Sequence, residues 1–126
     1  MSLDVDLMVT MPTSVYSANI THNLGAMAKE VKYGVNVLQT DQPGEELTLY
    51  HILWRPEDIG MIYAKDIVNL LEVGWRILIS NPDKYNMYNP PNGWGNYQGL
   101  VSFVYHYYNA CKDNPEAELR VSRWAF

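Results

Sequence analysis

The side chains best able to do chemistry in this chain are few: three histidines, one cysteine and a scatter of carboxylates and asparagines. His22, His51 and His106 stand far apart, with no His-x-x-x-His or His-Glu-x-x-His pair. The spacing that puts two imidazoles on one helix face for zinc is therefore missing. Cys111 is alone, which rules out an intramolecular disulfide and a cysteine-cluster metal site, and fits a reducing compartment. No G-x-S-x-G context surrounds Ser14 or Ser17, and the eight glycines form no phosphate-cradling loop. No catalytic residue, metal ligand or cofactor is assigned.

Binding chemistry is better represented. Placed on a helical wheel, "ANITHNLGAMAKE" (18–30) turns Ile20, Leu24, Met27 and Val31 to one side. Asn19, His22, Asn23, Gly25, Ala26, Lys29 and Glu30 fall on the other. A solvated helix face favours Lys, Glu and Gln; Asn, His, Gly and Ala instead allow close approach and offer both donors and acceptors. Either a neighbouring segment covers this face or a ligand does. In "LWRPED" (53–58), Pro56 holds Arg55 extended, and Glu57 and Asp58 suit a helix start. Local backbone needs explain that pattern; alternatively Arg55 faces an anionic group, with Trp54 as a stacking wall. In "NPPNGWGNYQG" (89–99), Asn92-Gly93 marks a turn, and Trp94 and Tyr97 either close the core or form an aromatic contact surface. The candidate ligand-binding set is thus Asn19, His22, Asn23, Trp54, Arg55, Glu57, Asn92 and Trp94. His51 reads as packed beneath Trp54, His106 as solvent-facing with Ser102 and Asn109, and Cys111 as core.

These residues need elements to position them. Leu3, Val5, Leu7, Val9 and Met11 alternate with polar neighbours, predicting a half-buried strand stopped by Pro12. Ala117, Leu119 and Val121 predict a second strand of the same sheet. Helical spacing predicts a helix from about Ser17 to Tyr33 ended by Gly34. A turn at "TDQPGEE" (40–46) and a short helix through "LTLYHILW" follow. The longest helix is expected from Ile62 to Ser80, with a wide apolar arc of Ile67, Val68, Leu70, Leu71, Gly74, Trp75, Leu78 and Ile79. Asn81 and Pro82 start a short turn of helix. Asn96 caps a last helix to about Lys112, whose buried face is Tyr97, Leu100, Val101, Val104, Tyr108 and Cys111. The order predicts one α+β domain over 1–126, a small sheet of the N- and C-terminal strands packed on three to four helices.

With 48% hydrophobic and 18% charged residues, the 126-residue chain has the make-up of an ordered globular domain. Nine Lys and Arg against fourteen acids, nowhere clustered in sequence, leave a net charge of −5 and no nucleic-acid footprint. No apolar run is long enough to span a bilayer and no signal peptide opens the chain, so no membrane partner is expected and the expected address is cytoplasmic.

Three segments, "NITHNLGAMA", "LWRPEDIG" and "NPPNGWGNYQGLV", together resemble a group of small uncharacterised proteins encoded in phage, prophage and bacterial genomes. The likeness covers about Asn19 to Arg123, and the stretch "GVNVLQTDQPGEELTL" between Tyr33 and Tyr50 is longer than the pattern. It implies a cytoplasmic accessory protein of a mobile element, with no assigned activity. The residues favour a non-enzymatic binding module for a small polar ligand or a peptide. Two alternatives stand beside it: an enzyme of hydrolase or transferase type using His22 as acid or base, and an assembly protein forming a homo-oligomer through its Tyr- and Trp-rich surface.

Overall fold

Leu3, Val5 and Leu7 alternate along β1 (Ser2–Thr10) and all three are fully buried. In the computed structural model, which describes residues 2–10, 13–36 and 46–124, β1 is the middle strand of an antiparallel sheet. On one side it pairs with β2 (Thr13–Thr21), setting Leu3, Val5 and Leu7 opposite Ile20, Ala18 and Tyr16. On the other it pairs with β5 (Glu118–Trp124), where Leu7 and Val5 meet Leu119 and Val121, and Leu3 meets Arg123. Period two thus keeps eight apolar side chains on one face and puts an arginine at the rim of that same face. The protein is an α+β fold whose N- and C-terminal strands lie side by side.

The helices cover the apolar face. After β2 come a 3-10 turn (His22–Leu24) and the short α1 (Gly25–Lys29). A two-stranded antiparallel ribbon of β3 (Lys32–Asn36) and β4 (Glu46–Thr48) leads to α2 (Leu49–Trp54). A second 3-10 turn (Pro56–Ile59) carries proline at its first position, where no intrahelical N–H is needed. The long helices α3 (Ala64–Ser80) and α5 (Tyr97–Asp113) pack against each other, linked through α4 (Pro82–Asn86). Asn81 and Asn96 cap α4 and α5, their Oδ1 atoms accepting from Lys84 N at 3.3 Å and Gly99 N at 2.7 Å. The expected short helix through "LTLYHILW" is α2.

Three expectations change. The helix expected from Ser17 to Tyr33 is a strand to Thr21, helical from His22 to Lys29, and strand again from Lys32. Tyr16, Ala18 and Ile20 alternate inward and find their partners on β1, so long-range pairing outweighs helical spacing here. The buried stripe of α5 is rotated: Phe103 and Tyr107 are buried, while Val101 and Tyr108 lie half-buried at its edges. On α3 the arc is narrower than expected, with Ile67, Leu71, Gly74 and Leu78 buried and Ile79 exposed. The turn expected at 40–46 falls, up to residue 45, outside the described residues.

Candidate functional site

The buried anchor of the site is Trp54, 2% exposed at the end of α2. An indole N–H removed from water needs an acceptor, and Trp54 Nε1 donates to His22 Nδ1 at 2.7 Å. That bond leaves the neutral His22 ring with its hydrogen on Nε2. His22 is brought there by the end of β2, where the Thr21 hydroxyl accepts from Asn23 N at 3.3 Å and starts the 3-10 turn. Tyr50, one turn before Trp54, stacks on it with centroids 5.3 Å apart and planes 12° from parallel. α2 itself starts with His51 in the role usual for Glu or Gln in a capping box, its Nδ1 accepting from Thr48 N at 3.1 Å.

Around this aromatic pair lies an open pocket of about 390 Å³ lined by His22, Gly25, Ala26, Lys29, Tyr50, Trp54, Arg55 and Arg123. Lys29 Nζ rests 4.6 Å from the centre of the Tyr50 ring. Arg123 reaches in from the sheet rim: its Nη1 donates to the Trp54 carbonyl at 2.7 Å and to Glu57 Oε1 at 2.6 Å. Arg55 pairs loosely with Asp58 at 3.8 Å. Its guanidinium pKa is raised, chiefly by a hydrogen bond with the Tyr50 side chain. Gly25 has an ordinary right-handed helical φ of −59°, and a methyl group there would meet Tyr50 carbons at 3.6 and 3.7 Å. Packing alone would accept alanine. Its absence widens the floor of the pocket.

Of the residues singled out from sequence, His22, Trp54 and Arg55 line this pocket. Glu57 stands beside it, engaged with Arg123. Asn19 belongs to β2 rather than a helix, is exposed, and donates to Asp4 Oδ1 across the sheet at 2.8 Å. Asn23 is exposed and outside the lining. Asn92 and Trp94 are elsewhere: Asn92 Oδ1 accepts from Trp94 N at 3.0 Å, and the Trp94 side chain is 69% exposed. What the Gly-Trp-Gly loop does bring close is Gly95, with φ 95°, where a Cβ would lie 2.7 Å from Thr21 Cγ2 and 3.1 Å from Leu24 Cγ. This backbone clamps the turn that carries His22, and both its conformation and its clearance demand glycine. Tyr97 closes the core, 7% exposed, with its hydroxyl donating to the Leu78 carbonyl at 2.6 Å.

Sequence reasoning missed Arg123 and Tyr50 as site residues. A signal existed for Arg123: continuing the alternation of Leu119 and Val121 puts residue 123 on the core face. Tyr50 had the weaker signal of lying four residues before Trp54 on a helix. The cations that look scattered in sequence meet here, since Lys29, Arg55 and Arg123 all line one pocket.

His51 is buried and engaged in capping, His106 is exposed beside exposed Ser102, and Cys111 is fully buried, its thiol pushed up to about 12 by burial. Among the described residues no group of three His, Cys, Asp or Glu side chains could hold a metal ion, and no helix is long and apolar enough to cross a membrane. An acid–base pair of His22 and Glu57 would need both side chains turned to a common point. Here His22 Nδ1 accepts from Trp54 and Glu57 accepts from Arg123. Comparison with protein families, with curated proteins and with solved structures finds no match for this chain.

Proposed function

We propose that this protein is a non-enzymatic binding module whose ligand is a small polar molecule seated in the pocket of His22, Tyr50, Trp54 and Arg55. The observation that carries this reading is the pocket's construction. A tryptophan fixed by a partly buried hydrogen bond to His22 forms its wall, and a glycine that packing does not require forms its floor. Pre-set walls with a few placed polar groups are what small-molecule sites share, and about 390 Å³ suits a compact ligand better than a long peptide. A cytoplasmic setting, in a phage or other mobile element, belongs to the same proposal and rests on the lone cysteine and the three resembling segments. Screening nucleotides, sugars and short peptides by thermal shift and by the Trp54 indole resonance tests it. At least one class should move both. If none disturbs the Trp54 indole, the reading fails.

Assembly has an observation of its own. Trp75, Ile79, Pro82, Tyr97, Val101 and Tyr105 line an apolar groove of about 540 Å³ between α3 and α5. Light scattering at rising concentration separates a homo-oligomer from a monomer, independently of the ligand screen.

A further inference from the structure

We infer that the group held in the pocket of His22 and Trp54 is an oxyanion, a carboxylate or phosphate carried on a small molecule, with Lys29, Arg55 and Arg123 as its counter-charges. This rests on the binding reading above and names its ligand class.

The argument begins with charge. The chain carries nine basic against fourteen acidic residues, yet among the described residues the pocket lining holds three cations and no carboxylate. Those cations come from α1, from the end of α2 and from β5, and no local sequence preference brings them together. Three like charges around one cavity repel one another unless an anion sits between them.

The two nearby acids do not remove this excess. Glu57 holds Arg123 from outside the pocket lining and occupies only Nη1, which it shares with the Trp54 carbonyl. The remaining guanidinium N–H groups of Arg123 meet no hydrogen-bond partner among the described residues. Two short bonds at one nitrogen therefore fix the plane of the guanidinium while its other donors stay available. That is the arrangement a forked carboxylate or phosphate contact needs. Asp58 stands 3.8 Å from Arg55 with both side chains about half exposed (45% and 51%), a pairing of the kind that contributes little and exchanges readily. Among the described residues Lys29 is held by the Tyr50 ring face at 4.6 Å, an interaction weaker than a charge-assisted hydrogen bond to an incoming oxygen. Tyr50 and the small Gly25–Ala26 floor leave room beside these cations for the ligand's carbon frame.

The test titrates the full chain with benzoate, phenyl phosphate, benzyl alcohol and glucose, following the Trp54 indole and arginine Nε resonances. Benzoate or phenyl phosphate should shift both in a saturable way, and the tighter of the two identifies the oxyanion. Affinity should fall about tenfold or more in Arg55→Gln and again in Lys29→Gln, since each removes one charge-assisted contact. Both residues are exposed, so both variants should fold; Arg123→Gln also loses the Trp54 carbonyl contact and serves only as a third arm. Benzyl alcohol binding as well as benzoate would overturn the inference, as would anion binding unchanged in the Arg55→Gln, Lys29→Gln double variant. Saturable glucose binding at Trp54 without any anion binding would discard the oxyanion and keep the binding module. Silence from all four probes and from the wider ligand screen would discard both.

Discussion

Deleting one phenolic oxygen should have opposite effects at different tyrosines of this protein. Tyr107 is fully buried between Tyr16, stacked at 5.9 Å, and Phe103, and its hydroxyl finds no hydrogen-bond partner among the described residues. A buried hydroxyl without a partner costs about 1–3 kcal/mol of desolvation. Tyr107→Phe removes that cost and leaves an oxygen-sized void of roughly 15 Å³, which at about 24 cal/mol per Å³ returns about 0.4 kcal/mol. The variant should therefore be more stable by about 0.6–2.6 kcal/mol. Tyr97 is the contrast. Its hydroxyl donates to the carbonyl of Leu78, in the last turn of α3, where carbonyls have no intrahelical partner. Tyr97→Phe strands that carbonyl and should cost about 1–2 kcal/mol. Tyr33, whose hydroxyl reaches the Leu70 carbonyl at 2.7 Å in mid-helix, should lie between, losing about 1 kcal/mol. Urea unfolding followed by circular dichroism reads all three, provided the slopes agree. In a chain of this size each kcal/mol corresponds to about 3–5 °C in Tm. A Tyr107→Phe variant destabilised by 1 kcal/mol, or a Tyr97→Phe variant as stable as the parent, would refute the hydrogen-bond assignment.

Other expectations concern the site and the core. His22→Ala leaves the Trp54 indole N–H without its acceptor and should cost about 1–3 kcal/mol; His22→Asn, which sets an oxygen where Nδ1 stood, should recover much of it in the same urea assay. Gly25→Ala should raise stability by about 0.5–1 kcal/mol while weakening ligand binding, because its methyl group enters the pocket lining. Trp94→Ala should change stability by less than about 0.5 kcal/mol and leave binding unchanged, which calorimetry with the identified ligand would check. Cys111 should resist thiol reagents until the protein unfolds. Its folded pKa of about 12 lies above the ordinary value of 9.0. The unfolded chain therefore releases this proton first as pH rises, and stability should fall from about pH 9 upward. Burial raises Tyr107 and Tyr33 in the same sense, extending the loss beyond pH 10. Urea midpoints at pH 8 and 10.5 would show it, with a smaller drop in Cys111→Ala.

The parts of the fold legible in the sequence are those governed by local chemistry. β1, β5 and the caps Asn81 and Asn96 follow from alternation and from side-chain oxygens placed to accept helix N–H groups. The stretch 17–33 was misleading for a physical reason. Ile20, Leu24, Met27 and Val31 are all buried as a helix would require, but Ile20 reaches the core from a strand and Val31 from beyond α1. Even spacing of buried residues does not distinguish one helix from three successive elements bending over one core. The site was half legible for a related reason. His22, Trp54 and Arg55 are unusual in type or setting. Arg123 is unremarkable until the register of β5 against β1 puts it opposite Leu3. Trp94 attracted notice as an aromatic in a turn, whereas the residue of that loop that matters to the site is Gly95, acting through its backbone.

The placement of β5 also orders events in time. Lys29, Tyr50, Trp54 and Arg55 are all synthesised well before Arg123, and β1 gains its second neighbour only when β5 arrives. Contacts this far apart in sequence form late and slowly. A growing chain would therefore display two of the three cations and the stacked aromatic pair, but not the guanidinium that ties the Trp54 carbonyl to the sheet. Under the proposed reading, the pocket's full set of counter-charges and closure of the sheet arrive in a single step. A ligand held as proposed would pull that step forward by mass action, and chains released without β5 would bind it more weakly than finished molecules.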